Sequence, residues 1–230
     1  MHWRSIADLD GIWQTDLITQ GAPLRAVAFR LIDDRLGVFS PVRGLGADAH
    51  AALAALGRPA LLVAPNHFHN LGLAEYADAH PGSVIVTTAV AAPRTRAKCK
   101  REVEDDTRLS AALPEHISLL VPPDTRTGEL WLSVRSARAR AWIVGDAFLN
   151  IAKTPLSPIG LVLKALACSP GLRISTSFRW LLRDRTAYRR WLLAKLEEER
   201  PTILIPCHGD IIVDESLTER LQRLAEARLG

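Results

Sequence analysis

Three runs of apolar residues constrain this chain more than any other feature, because each breaks off into a turn carrying histidine or aspartate. Ala60-Leu61-Leu62-Val63-Ala64 is followed by Pro65-Asn66-His67-Phe68-His69-Asn70. Ile143-Val144 is followed by Gly145-Asp146-Ala147-Phe148, and Ile203-Leu204-Ile205-Pro206 by Cys207-His208-Gly209-Asp210. A continuous apolar run of this length is the pattern of a strand buried on both faces. Polar residues just past such a strand sit where a rigid sheet presents reactive groups.

The remaining chain reads as alternating strands and helices. Ile12–Thr15 and Ala26–Ile32 are strand-like, and Asp33-Asp34 is a turn before Leu36–Phe39. Asp48–Leu56 reads as an alanine-rich helix closed by Gly57, and Leu73–Ala79 as a second helix. Ser83–Thr87 is a β-branched strand, and Arg94–Asp106 a charged surface helix or loop. Ile117–Val121, Leu130–Val134 and Ala141–Val144 add three strands, with Asp124 and Gly128 marking the first intervening turn. Beyond Ser157 the pattern turns helical at Ile159–Ala167, Phe178–Leu182, Thr186–Glu199 and Leu217–Leu229, with the strand Thr202–Pro206 between the last two. No linker, repeat or low-complexity stretch divides the 230 residues, so residues 1–230 are read as a single α/β domain.

Composition narrows the setting. No apolar run approaches the roughly 18 residues of a membrane span, and the N-terminus lacks a secretory pattern, so a cytoplasmic location is expected. Three scattered cysteines make neither a disulfide framework nor a Cys-x-x-Cys site. The net charge of +4 comes from dispersed, arginine-rich basic residues without an aromatic-basic motif, so nothing in the pattern points to nucleic acid. The tryptophans fall mostly on expected strands and helices, as packing residues. His2, His50, His80 and His116 have no partner in sequence and receive no role.

Each polar turn has a bland and a chemical reading. His67 and His69, two apart in an extended turn, can face one ion or simply lie in a loop before a helix. Asp146 can be a carboxylate at the sheet edge, with Gly145 admitting a close neighbour, or a turn cap. His208 is well placed for a ligand, and Cys207 beside it is a nucleophile, a soft ligand or a buried inert thiol.

Taken together, their order resembles the metallo-β-lactamase fold superfamily over most of the chain. The resemblance implies a four-layer αββα sandwich with one or two metals, usually zinc, at one edge of the sheets. Ile143–Phe148 looks like the family's strand ending in its bridging aspartate, and Asp184 to His208 like its final helix, strand and C-terminal histidine. The first motif departs from the usual Thr-His-x-His-x-Asp-His-x-Gly-Gly. If His67 and His69 fill the opening histidines, Leu71 and Gly72 stand where Asp-His belongs. If Phe68 and Gly72 anchor the register, which we prefer, Pro65 replaces the first histidine, His67 matches the second, His69 replaces the aspartate and Asn70 the last histidine. Phe39-Ser40-Pro41-Val42 lacks the carboxylate of the family's early Asp-x-Gly turn. Pro122-Pro123-Asp124-Thr125 offers Asp124 where the family has its middle histidine. The Pro-Asn-x-x-His turn is similar to that of a superfamily subgroup of unassigned function.

The ligand set this implies is His67, His69, Asp146 and His208, with Asp124 as a fifth candidate. It is too small for a two-zinc centre and sufficient for one divalent metal, zinc first, with iron or manganese as alternatives. The implied activity is hydrolysis of an ester, lactone, thioester or phosphoester by a metal-bound water, with Asp146 and His208 at the catalytic centre. The alternative is a metal-free, non-catalytic member of the fold that binds a small molecule or a protein. The tryptophan-bearing helix Thr186–Glu199 offers a surface for a homodimer.

Overall fold

The computed structural model describes residues 3–19, 22–154, 156 and 158–230; His2 and Ser157, named above, lie outside them. The first half of the chain runs β1 (Arg4–Ile6), β2 (Leu9–Thr19), β3 (Ala22–Arg30), β4 (Leu36–Phe39), α1 (Ala47–Leu56), β5 (Pro59–Val63), α2 (Leu73–Ala79), β6 (Val84–Val86), α3 (Ala92–Cys99) and β7 (Val103–Glu104). These strands form one sheet in the order β1-β2-β3-β4-β5-β6-β7. The first four pair antiparallel as hairpins, and β4 to β7 pair parallel through helical crossovers.

The second half runs α4 (Asp106–Ser110), β8 (Ile117–Leu120), β9 (Trp131–Arg135), β10 (Arg140–Val144), β11 (Leu149–Ile151), α5 (Pro158–Ala165), β12 (Gly171–Arg173), α6 (Thr176–Trp180), α7 (Arg185–Glu199), β13 (Ile203–Pro206), β14 (Ile212–Val213) and α8 (Leu217–Leu229). Its main sheet has the order β14-β13-β10-β9-β8, with β11 and β12 forming a separate pair.

Alternation of side chains along the strands builds the layers. Leu61 and Val63 of β5 face the inter-sheet core with Ala141 and Ile143 of β10 and Ile203 and Ile205 of β13. The intervening Leu62 faces outward onto Leu53 of α1 and Leu73 and Tyr76 of α2. On the other side, Trp142 and Val144 of β10 and Leu204 of β13 face Tyr188, Leu192 and Leu196 of α7 and Leu221 and Ala225 of α8. Helices, sheet, sheet and helices therefore stack in four layers. This is why the β5, β10 and β13 runs are apolar throughout: each strand is covered on both faces.

The helices on the second sheet carry the expected signals. Asp184 caps α7, its carboxylate accepting from the Ala187 N–H at 2.9 Å, and Arg200 ends the helix at φ 46° before Pro201. Tyr188, Leu192 and Leu196 recur every four residues on its buried face. Trp191 is half-buried, its ring 5.3 Å from that of Trp131 and 6.1 Å from that of Tyr188, so part of it packs onto the second sheet. Arg94–Asp106 resolves into α3 and the edge strand β7, and the helix expected at Phe178–Leu182 lies slightly earlier, as α6. Among the described residues no helix is long and apolar enough to cross a membrane.

Candidate metal centre

The β10 and β13 strands are parallel neighbours, with Val144 opposite Pro206, so their C-terminal ends emerge side by side. Asp146 and His208 follow directly. The β5 strand of the other sheet ends at the same edge, and its following turn is tied across the sheets by Leu130 N–H to Pro65 O at 2.8 Å and His67 N–H to Thr127 O at 3.1 Å. That turn brings in His69. The Nε2 atoms of His69 and His208 each stand 3.1 Å from Asp146 Oδ1. One donor atom from each of the three residues lies within 4.8 Å of the others, which is the spacing of a metal-ligand set.

The second atom of each inner ligand is held. Ser40 Oγ is 2.8 Å from His69 Nδ1, and the Asn66 amide donates to Asp146 Oδ2 at 2.9 Å. When Nδ1 carries the proton and donates to Ser40, Nε2 presents its lone pair, the usual support of a metal-bound imidazole. His69 is 7% exposed and Asp146 23%, whereas His208 is 35% exposed, so the group is open on the His208 side. Burial acts to raise the Asp146 carboxyl, but the neighbouring His69 and His208 imidazoles outweigh it and hold it well below the usual carboxylate range. Two neutral imidazoles and an ionised carboxylate are donors that zinc and similar divalent ions accept, so the residues present fit such an ion.

Beneath the group lies a carboxylate that the motif comparison missed. Glu129 is fully buried, and its Oε1 accepts from the Asp146 N–H at 2.9 Å, the Ala147 N–H at 3.2 Å and the Trp131 indole N–H at 3.2 Å. Its Oε2 accepts from Asn66 at 2.8 Å, so the two amide protons of Asn66 bridge Glu129 and Asp146. Burial, with the Asp146 charge adding to it, pushes the Glu129 carboxyl up. Gly145 makes room: a Cβ there would stand 2.8 Å from Glu129 Oε1. The sequence signal was a carboxylate immediately before the Trp131 strand. Its partners, 17 and 63 residues away, have no local signature.

His67 is not brought into the three-residue group. Its Nε2 lies 3.4 Å from Arg94 Nη1, and its ring packs edge-on to Phe68 at 4.4 Å. Burial and then the Arg94 charge lower its pKa. Asp124 also stands apart: it is exposed, at φ 59°, and its carbonyl accepts from the Arg183 N–H at 2.7 Å. Cys207 is buried, and burial pushes its thiol up, which makes it the inert thiol of the bland reading.

No protein-family model matches the sequence, and no curated protein matches it. Solved structures do. The metallo-beta-lactamase FIM-1 from Pseudomonas aeruginosa, in its mono-zinc form, superposes with a TM-score of 0.60 at 13% identity over 99% of this chain and 95% of that one. The DIM-1 metallo-beta-lactamase exposed to ceftazidime gives 0.59 at 13% identity over 99% and 98%. Rubredoxin oxygen:oxidoreductase from the anaerobe Desulfovibrio gigas gives 0.59 at 13% identity, with 98% of this chain spanning 62% of that one. The chain therefore has the metallo-β-lactamase fold, in a sequence far diverged from these structures. Within that fold it carries His69, which our preferred register sets in place of the family's aspartate, beside Asp146 and His208.

Proposed function

We propose that this protein is a metal-dependent hydrolase that holds one divalent ion, zinc first, on His69, Asp146 and His208. The convergence of these three donor groups at the ends of β5, β10 and β13 carries the reading. A divalent ion with an open position lowers the pKa of bound water toward about 7 and polarises a carbonyl or phosphoryl oxygen. The chain's own residues do the rest. Ser40 orients the His69 ring, Asn66 fixes Asp146 Oδ2 and so leaves Oδ1 for the site, and Glu129 anchors the backbone of the Asp146 turn. His208, the most exposed of the three, faces the side from which substrate enters.

Pockets on both sides of the group suit a substrate lying across it. One of about 320 Å³ shares Asp146 and His208 with β11 and α6, and one of about 330 Å³ shares them with Ser40 and the Pro41–Arg43 loop. An ester, lactone, thioester or phosphoester is the substrate class. The test is hydrolysis of a panel of such substrates by the protein incubated with zinc. Turnover abolished by a chelator, restored by zinc and lost in Asp146→Ala supports the reading; turnover indifferent to chelator and to Asp146→Ala contradicts it.

A second reading rests on the 3.1 Å contacts themselves, which are hydrogen-bond lengths between Asp146 Oδ1 and both imidazoles. A metal-free carboxylate–imidazole cluster satisfies them. In that case the pockets serve a bound small molecule rather than a reaction.

A further inference from the structure

Both pockets beside the three-residue group have mostly apolar walls, Leu24, Val42, Phe68 and Leu71 lining the one near Ser40, but they differ in charge. The pocket toward the second sheet is walled by Leu149 and Ile151 of β11, Leu163 of α5, Phe178 of α6 and Leu181. Among the described residues its only charged groups are Asp146 and His208, at the end where the candidate metal site lies. Two serines also line it, and their hydroxyls are engaged: Ser175 Oγ accepts the Phe178 N–H at 3.0 Å and lies 3.0 Å from Ser177 Oγ. The opposite pocket includes Arg43, an exposed residue whose guanidinium has no hydrogen bond or ion pair among the described residues.

We infer that the pocket between β11, α5 and α6 holds the hydrocarbon arm of an acyl ester or acyl thioester, with the acyl carbonyl against His208 and Asp146. The inference rests on the hydrolase reading above and narrows it. An arm bearing a phosphate or other anion would meet no lysine or arginine on this wall among the described residues, whereas an alkyl chain would meet the leucine, isoleucine and phenylalanine side chains that line it. The second arm, carrying the leaving group, then lies toward Arg43. Hydrolysis forms one bond from a water oxygen to the acyl carbon and breaks the bond from that carbon to the leaving oxygen or sulfur. Of the two water protons, one ends on the leaving group and one in solvent, giving a carboxylate and an alcohol or thiol.

The test uses methyl butyl, methyl hexyl and methyl octyl ketones, which keep the carbonyl and chain but have no bond to hydrolyse. Binding to the metal-free protein is measured by calorimetry. An apolar slot raises affinity by about fourfold for each methylene that it buries. Affinity should therefore climb along the series, and Leu163→Asp, which sets a charge in the wall, should lower that for methyl octyl ketone by about tenfold or more. A series without length dependence, or one unchanged by Leu163→Asp in a variant that melts like wild type, overturns the inference. If that variant fails to fold, the wild-type series decides alone. Zinc uptake, titrated separately, keeps the two claims apart. Length-dependent binding without zinc uptake supports the chain site and removes the hydrolase, whereas zinc uptake with a flat series removes the chain site alone.

Discussion

Gly145 decides more at the candidate site than its size suggests. It separates Val144, buried in the second sheet, from Asp146, and its missing Cβ leaves space for Glu129 Oε1 and the Pro65 ring. Gly145→Ala should destabilise the fold by about 1–3 kcal/mol, because the clash falls on a carboxylate held by three N–H donors. Urea denaturation of the variant checks it. Ser40 acts on the other inner ligand. Removing its hydroxyl in Ser40→Ala frees the His69 ring, and zinc affinity should fall about 10–100-fold with little change in melting temperature. A competition titration against a chelator of known affinity reads that change. Local sequence showed His69, Asp146 and His208 as polar breaks after apolar runs. It did not show that His67 turns to Arg94 while His69 turns to Asp146, because that choice is made by Ser40 and Asp146, 29 and 77 residues from His69.

Among the elements, the buried strands were the most legible. A strand covered on both faces must be apolar where it is covered, and β5, β13 and β10 beyond Arg140 all read that way. The two-residue strands β7 and β14 and the small β11–β12 pair were not legible, since their pairing depends on partners rather than on their own pattern. The packing of α1 on α2 adds a pH-sensitive feature away from the site. His80 is 8% exposed, and its Nε2 lies 3.1 Å from His50 Nδ1, with Glu75 Oε1 3.3 Å beyond at His50 Nε2. Burial and then the His50 charge hold His80 below its ordinary 6.5. The unfolded chain therefore takes up a proton that the folded chain resists, and the stability present above about pH 6.5 is lost as pH falls. Melting temperature should drop between pH 7.5 and 5.5, and His80→Gln should shrink the drop. An equal drop in the variant would contradict this assignment.

Across the whole molecule, the His208 turn is fixed by the opposite sheet. Arg25 of β3 is 3% exposed, and its Nη1 donates to Pro206 O and Gly209 O, both at 2.8 Å. Its Nε lies 2.9 Å from Asp16 Oδ1 and 2.7 Å from Gln14 Oε1 on β2. The Arg25 N–H also donates to Cys207 O at 2.8 Å, and the Gly209 N–H to Pro23 O at 2.9 Å. One buried guanidinium thus ties both sides of His208 to the first sheet. Arg25→Met should cost about 2–5 kcal/mol, by leaving buried carbonyls and the Asp16 carboxylate short of donors. It should also weaken zinc binding by loosening His208. Both effects are readable by thermal melting in the presence and absence of zinc.

If His69, Asp146 and His208 form one metal site, the metal content of the purified protein depends on them. Protein purified without a histidine tag, incubated with zinc and freed of excess, is measured by elemental analysis beside His208→Ala and His67→Ala. About one zinc per chain should remain in the wild type and in His67→Ala, and that zinc should be lost in His208→Ala. A wild-type protein that retains no zinc, or a His208→Ala variant that retains as much as wild type, would contradict it.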